Sequence, residues 1–170
     1  MHIQRFTPQQ LIMQQDALNA LLSRAFNAPV TFALNSELAA GVIVRNQSDI
    51  IGCGFMYQRT MLQGENRFLA AIIGGIAVHP NYQGQGVSKA IMAAIDALAV
   101  EQGADHAFLF AYQPEIYHAA GYRPLNTPIY FYDTPKQCWA EFIYRGGMIK
   151  PLTDAELAAS PRIEFNGCVY

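Results

Sequence analysis

Charge is what this sequence has least of. Only 14% of its 170 residues are Asp, Glu, Lys or Arg, and the 11 basic ones form no cluster, so no stretch offers the cationic footprint of a nucleic-acid-binding surface. The net charge of −2 and the pI of about 6.0 point the same way. Cysteine is scarce as well. Cys53, Cys138 and Cys168 are odd in number, far apart and without metal-ligand spacing, which predicts reduced thiols, no disulfide framework and no metal. Long apolar runs are also missing: the longest, such as Phe68 to Val78, fall far short of the roughly 20 residues a membrane-spanning helix needs. The N-terminus carries no basic-then-apolar leader pattern. Together these absences predict a cytoplasmic protein with no membrane partner.

What the chain does have is a hydrophobic content of 52%, enough for a substantial core in one domain spanning residues 1–170. His2 to Phe6 reads as a first strand. Thr7-Pro8-Gln9-Gln10 then has capping-box spacing with proline at the first helical position. The helix it opens is expected to run to Phe26 on an apolar stripe of Leu11, Leu18, Leu21, Leu22 and Ala25, stopped by Asn27-Ala28-Pro29. Ala39 to Arg45 and Ile50 to Leu62 read as a hairpin, and Gln63-Gly64-Glu65-Asn66 turns into a third antiparallel strand.

The centre of the sequence is Ile72 to Ala99. An apolar strand ending near Val78 leads through a Pro80-led loop, Gln83-Gly84-Gln85-Gly86, into a helix whose face is Val87, Ile91, Ala94, Ile95 and Leu98. Strand, glycine loop and helix start make an anion site, because the first helical N–H groups lack partners and lie at the positive end of the dipole. Two familiar phosphate loops do not fit. Ser88-Lys89 lacks the Gly-Lys pair of the ATP loop, and Lys89 stands where the dinucleotide loop needs its third glycine. After the helix, Gly103 is a stop, and His106 to Ala111 reads as a buried strand parallel to the central one.

Gln83-Gly84-Gln85-Gly86-Val87-Ser88 resembles the acyl-coenzyme A loop of the GCN5-related N-acetyltransferase superfamily, Gln/Arg-x-x-Gly-x-Gly/Ala, with Ser88 departing at the last position. Ile116-Tyr117-His118-Ala119-Ala120-Gly121-Tyr122, on a short helix opened by Pro114, resembles the second signature of that superfamily. The resemblance covers roughly residues 1 to 132. It implies an α/β (α+β) fold, a mixed and mainly antiparallel splayed sheet flanked by helices, with a bulge at Gly74-Gly75. It also implies acetyl-coenzyme A as co-substrate, held by Gln83, Gly84, Gln85, Gly86, Val87 and Ser88 and by the backbone of Ile76 and Val78. Tyr117 matches the tyrosine that protonates the leaving thiolate. The implied reaction is direct attack by a primary amine, from a small molecule or a peptide, in a ternary complex. A non-catalytic acyl-coenzyme A sensor is the alternative.

No general base is assigned. Some members of the superfamily carry a glutamate on the central strand, where this chain has Ile72; Glu65 lies before the strand and His79 just after it. His118 adjoins Tyr117 and is expected on another face. From Asn126 onward the chain departs most from a minimal member. Ile129 to Tyr132 and Glu141 to Ile149 are expected as a closing hairpin joined by a helix or turn at Pro135 to Trp139. Thr153 to Ala159 is expected as a short capped helix, and Ser160 to Tyr170 shows no pattern. Trp139, Phe142 and Tyr144 in this extension are expected to serve a homodimer contact, an acceptor-pocket wall or the sheet itself.

Overall fold

In the computed structural model, which describes residues 1–170, two long strands, β3 (Asp49–Gln63) and β4 (Asn66–Val78), each contribute to both compact units into which the chain divides. The first unit is Met1–Tyr57 with Gly74–Leu98; the second is Gln58–Ile73 with Ala99–Tyr170.

In the first unit, β1 (His2–Phe6) pairs antiparallel with β2 (Leu38–Asn46), and β2 pairs antiparallel with β3. The Thr7 capping box forms in both directions: Thr7 Oγ1 accepts from the Gln10 N–H, and Gln10 Oε1 accepts from the Thr7 N–H. The expected single helix is instead two, α1 (Pro8–Ile12) and α2 (Gln15–Phe26). Side chains at the break have tertiary partners that a local helical pattern does not reveal. Gln14 accepts from Arg45 at 2.7 Å, and Gln15 donates to the Phe32 carbonyl at 3.0 Å. Leu11, Leu18, Leu21 and Leu22 are buried as the stripe predicts, and Asn27 stops α2 in the left-handed conformation.

The third helix, α3 (Val87–Glu101), lays Val87, Ile91 and Ile95 on β3. This approach depends on Gly54, where an added Cβ would fall 2.5 Å from Ile76 Cδ1 and 2.7 Å from Ile91 Cγ2. At the predicted bulge, Gly75 has φ +61°, and Phe55, stacked on Phe32 at 4.7 Å, fills the space a side chain there would need. Cys53 Sγ lies 3.7 Å from the Gly75 carbonyl oxygen, and burial pushes its thiol up to about 12. It is therefore a packing residue and not a nucleophile.

In the second unit, β4 and β5 (His106–Phe110) are parallel, as expected, over Ala70–Ile73 and His106–Leu109. The ladder ends at that pair, while β4 runs on to Val78. Pro114–Ala120 forms a 3-10 helix closed by Gly121 in the left-handed region. The C-terminal expectations need four corrections. The closing hairpin is β7 (Ile129–Asp133) with β8 (Cys138–Phe142), so Trp139 is already strand, opposite Tyr132 and stacked on Tyr130. The segment after it becomes β9 (Gly147–Pro151), which pairs with β5 and with β6 (Arg123–Pro124). No helix forms at Thr153 to Ala159, because the Gln63 amide bonds the Ala158 N–H and C=O as a strand would, at 3.0 and 2.7 Å. Lastly, Ser160 to Tyr170 is not patternless: it supplies β10 (Ile163–Glu164), between β3 and β7, and the fully buried Phe165.

His106 is 1% exposed beside Phe68 and Phe108, and neither ring nitrogen has a partner in good hydrogen-bonding geometry; the Ala155 backbone and the Asp105 charge only partly offset its desolvation. Burial lowers its pKa below the ordinary 6.5, so the folded state favours the neutral ring. The unfolded chain then binds more protons below pH 6.5, and stability falls as pH drops through that value, by at most about 1.4 kcal/mol per pH unit for one proton. Urea midpoints from pH 8 to 5 are expected to show this loss, and His106→Leu is expected to flatten it. Gly75→Ala is expected to destabilise by about 2–4 kcal/mol, combining left-handed backbone strain with overpacking against Phe55. Equilibrium denaturation of the two proteins measures that difference.

Candidate active site

The first unit holds every residue the sequence assigned to the cofactor. Ile76 and Val78 lie on the last stretch of β4, past its final β5 partner Ile73. His79 follows as the cap of a one-turn 3-10 helix, Pro80–Tyr82, accepting the Asn81 N–H on Nδ1 at 3.2 Å. The loop is then braced by its own amide side chains. Gln83 Nε2 donates to the Val78 carbonyl at 3.2 Å, and Gln85 Nε2 donates to the Asn81 carbonyl at 3.0 Å. These glutamines hold the loop's shape from below, a role that the sequence pattern alone did not distinguish from direct ligand contact.

Gly84 and Gly86 take φ of +74° and +80°, the left-handed conformation that only glycine adopts without strain. Neither has any atom within 4 Å of where a Cβ would stand. The backbone is therefore bare and open to solvent at the point where α3 begins. Intrahelical bonding starts with Ala90 N–H to the Gly86 carbonyl at 3.0 Å, so the N–H groups of Val87, Ser88 and Lys89 precede the helix's first i→i−4 bond. No acidic side chain occupies that first turn. Fifteen residues of aligned dipole end here, on a surface shaped to accept an anion such as a pyrophosphate. Ser88 is half-buried at the position where the family pattern has glycine or alanine, and fits without disturbing the helix.

Tyr117 belongs to the second unit, on the 3-10 helix Pro114–Ala120. Its ring packs edge-on against Tyr122 at 6.4 Å, and Gly121 makes that possible by turning the chain back with φ +87°. The side chain is half-buried, and desolvation raises the phenol above its ordinary value of 10, so it stays protonated at neutral pH. His118, next to it, is exposed. No group of His, Cys, Asp and Glu side chains forms a metal-binding cluster.

Where some family members carry a glutamate, Ile72 is fully buried, and Glu65 lies in the exposed turn between β3 and β4. His79 is engaged structurally. Besides the Asn81 N–H on Nδ1, its Nε2 lies 2.9 Å from Arg24 Nη1 of α2. Arg24 had no role in the sequence reading; a basic residue in the last turn of a helix was its only local signal.

Comparison with known proteins bears on the fold and the family. None of the curated proteins matches the chain in sequence. Among solved structures, an Escherichia coli GNAT family N-acetyltransferase, YhbS, in complex with CoA superposes with a TM-score of 0.68 at 14% identity, over 96% of this chain and 88% of that one. An aminoglycoside acetyltransferase from an uncultured soil metagenomic sample, in complex with sisomicin, gives 0.54 at 19% identity, over 71% and 83%. A probable N-acyltransferase from Enterococcus faecalis V583 gives 0.61 at 18% identity, over 75% of this chain but only 33% of its own length, so this chain spans about a third of such larger relatives. At these identities the likeness is one of fold. The family follows from the sequence itself: residues 13–125, well over half of the chain, match the model of the acetyltransferase (GNAT) domain, and the chain belongs to that family.

Proposed function

We propose that this protein transfers an acetyl group from acetyl-coenzyme A to a primary amine. The observation that carries the proposal is the bare left-handed loop Gly84–Gly86 leading into a first turn of α3 that carries no acidic side chain, a main-chain cradle suited to a pyrophosphate. The bound CoA of the Escherichia coli relative is consistent with that choice of ligand. In this mechanism the acyl arm follows the backbone of Ile76 and Val78. The amine nitrogen attacks the thioester carbonyl carbon, forming the C–N bond. Charge gathers on the carbonyl oxygen, where an N–H donor is worth a few kcal/mol of barrier. The C–S bond then breaks, the thiolate takes the proton of Tyr117, the role its family match assigns, and the proton lost by nitrogen passes to water, from which the phenolate is reprotonated. The phenol holds its proton until the thiolate forms; desolvation, which raises its pKa, makes it a weaker acid, so the transfer relies on the greater basicity of a thiolate leaving in a dry site.

The acceptor proposed is a small-molecule amine or an exposed peptide amine; the sisomicin complex of one relative illustrates the first kind. A second reading, an acyl-coenzyme A sensor without turnover, draws on one observation: β4 has no acid, and both His79 nitrogens face protein donors, which leaves no side-chain base there. The enzyme reading answers it by letting the amine arrive neutral or lose its proton to water.

Gly86→Glu is expected to abolish acetyl-coenzyme A binding in calorimetric titration, because a carboxylate then occupies the anion cradle; unchanged affinity would move the cofactor elsewhere. Tyr117→Phe is expected to keep that affinity but slow acyl transfer by roughly 10²- to 10⁴-fold. Thiol release across a panel of amines measures it. If the unaltered protein binds cofactor yet acetylates no amine in the panel, the sensor reading replaces the enzyme.

A further inference from the structure

A cavity of about 530 Å³ lies in the first unit, lined by α2, the β2–β3 turn, the start of β3 and the His79–Tyr82 segment. Acetyl transfer as proposed above uses none of its side chains. Part of its lining is apolar, from Ala20, Leu21 and Ile51; its cationic groups are Arg24 and Arg45, opposed by the single carboxylate of Asp49.

The hydrogen bonding of His79 does not close within the protein. Its Nδ1 faces the Asn81 N–H at 3.2 Å and its Nε2 faces Arg24 Nη1 at 2.9 Å. Both of those groups are obligate donors. A neutral imidazole has one acceptor nitrogen and a protonated one has none, so in every protonation state at least one contact sets a donor against a donor. Which nitrogen accepts depends on the tautomer; in the one where Nδ1 accepts from the backbone, Nε2 carries hydrogen and two donors converge on one point beside the cavity.

The other polar groups add donors to the same cavity. Arg45 uses Nη1 on the Ser48 carbonyl and Nη2 on Gln14, which accounts for two of its five N–H groups. Tyr82 Oη accepts from Asn46 Nδ2 at 3.0 Å, which leaves its own proton to donate. The one carboxylate of the lining, Asp49, faces Ser48 Oγ at 3.5 Å, and no negatively charged acceptor meets Arg24 and His79 where they converge. We propose that the cavity binds a small oxyanion, a carboxylate or a phosphate, one of whose oxygens accepts from both Arg24 Nη1 and His79 Nε2–H. Arginine's planar fork suits either group, and an oxygen accepting from both removes the donor conflict. The site is separate from the glycine loop but next to it in sequence. Asn81, which bonds His79, also accepts from Gln85, so an anion here holds the segment from which the cofactor loop is braced.

The test is NMR titration of the full chain with sodium phosphate and, separately, sodium succinate, at ionic strength held constant with sodium chloride. It reads the His79 ring nitrogens and the Asn81 and Tyr82 amides. Saturable shifts at these positions are expected with at least one of the two anions, and which one saturates names the class. Arg24→Gln, at an exposed position that leaves folding intact, is expected to weaken binding about tenfold or more, the size of one lost charge-assisted hydrogen bond, while Gly86→Glu leaves it unchanged. Absence of saturation with either anion up to about 50 mM, a concentration that would reveal even millimolar affinity, overturns the proposal. Equal affinity in Arg24→Gln also overturns it. Loss in Gly86→Glu but not in Arg24→Gln would put the anion on the glycine loop, which refutes this site and leaves the cofactor reading standing.

Discussion

Everything proposed for the cofactor depends on how closely α3 lies on β3. That contact exists because β3 presents glycine to the helix: an added Cβ at Gly52 would fall 2.8 Å from Val87, and one at Gly54 would meet Ile76 and Ile91 at shorter distances still. Burying Ile91 and Ile95 completely is worth roughly 1.5–3 kcal/mol each. The energy holding the helix down is thus dispersed apolar packing. Its consequence is directional, because the same packing fixes where the first turn of α3, and its unpaired N–H groups, point.

A site made mainly of backbone has a particular economy. Its donors are present whatever the side chains are, so the sequence is constrained only where backbone must adopt a left-handed turn or be braced. Gly84 and Gly86 answer the first need, and the Gln83 and Gln85 amides the second. The side-chain chemistry is correspondingly thin. In the proposed reaction one half-buried phenol is the only assigned group, and the acceptor amine would bring the nucleophile itself.

The second unit is tied together differently, through polar groups that act at long sequence separation. Arg59 donates to the carbonyls of Phe165 and Cys168, and Gln63 bonds Ala158 and Pro161. These bonds hold the last dozen residues so that Phe165 seals the aromatic cluster of Phe108 and Phe110 at ring distances of 5.3 and 5.8 Å. Buried backbone carbonyls need donors, and a buried arginine or glutamine supplies two at once.

Local pattern was enough for those parts whose partners are near in sequence or whose periodicity is long. The capping box at Thr7, strands β1 to β5, the glycine loop and the face of α3 were all legible, since alternation, helical spacing and turn residues report directly on burial. The role proposed for Tyr117 rests only on likeness to a family. The break between α1 and α2, the pairing of β9 with β5, the extended Thr153 to Ala159 segment and the strand at Ile163 were not. Each is decided by a group tens of residues away, such as Arg45 for Gln14 or Gln63 for Ala158. The meeting of Arg24 with His79 belongs with them. The sequence by itself determined which segments could be buried and where the backbone must turn. Only the tertiary structure decided which polar side chains complete one another's hydrogen bonds, because such a bond depends on a few ångströms of through-space geometry that no local periodicity encodes.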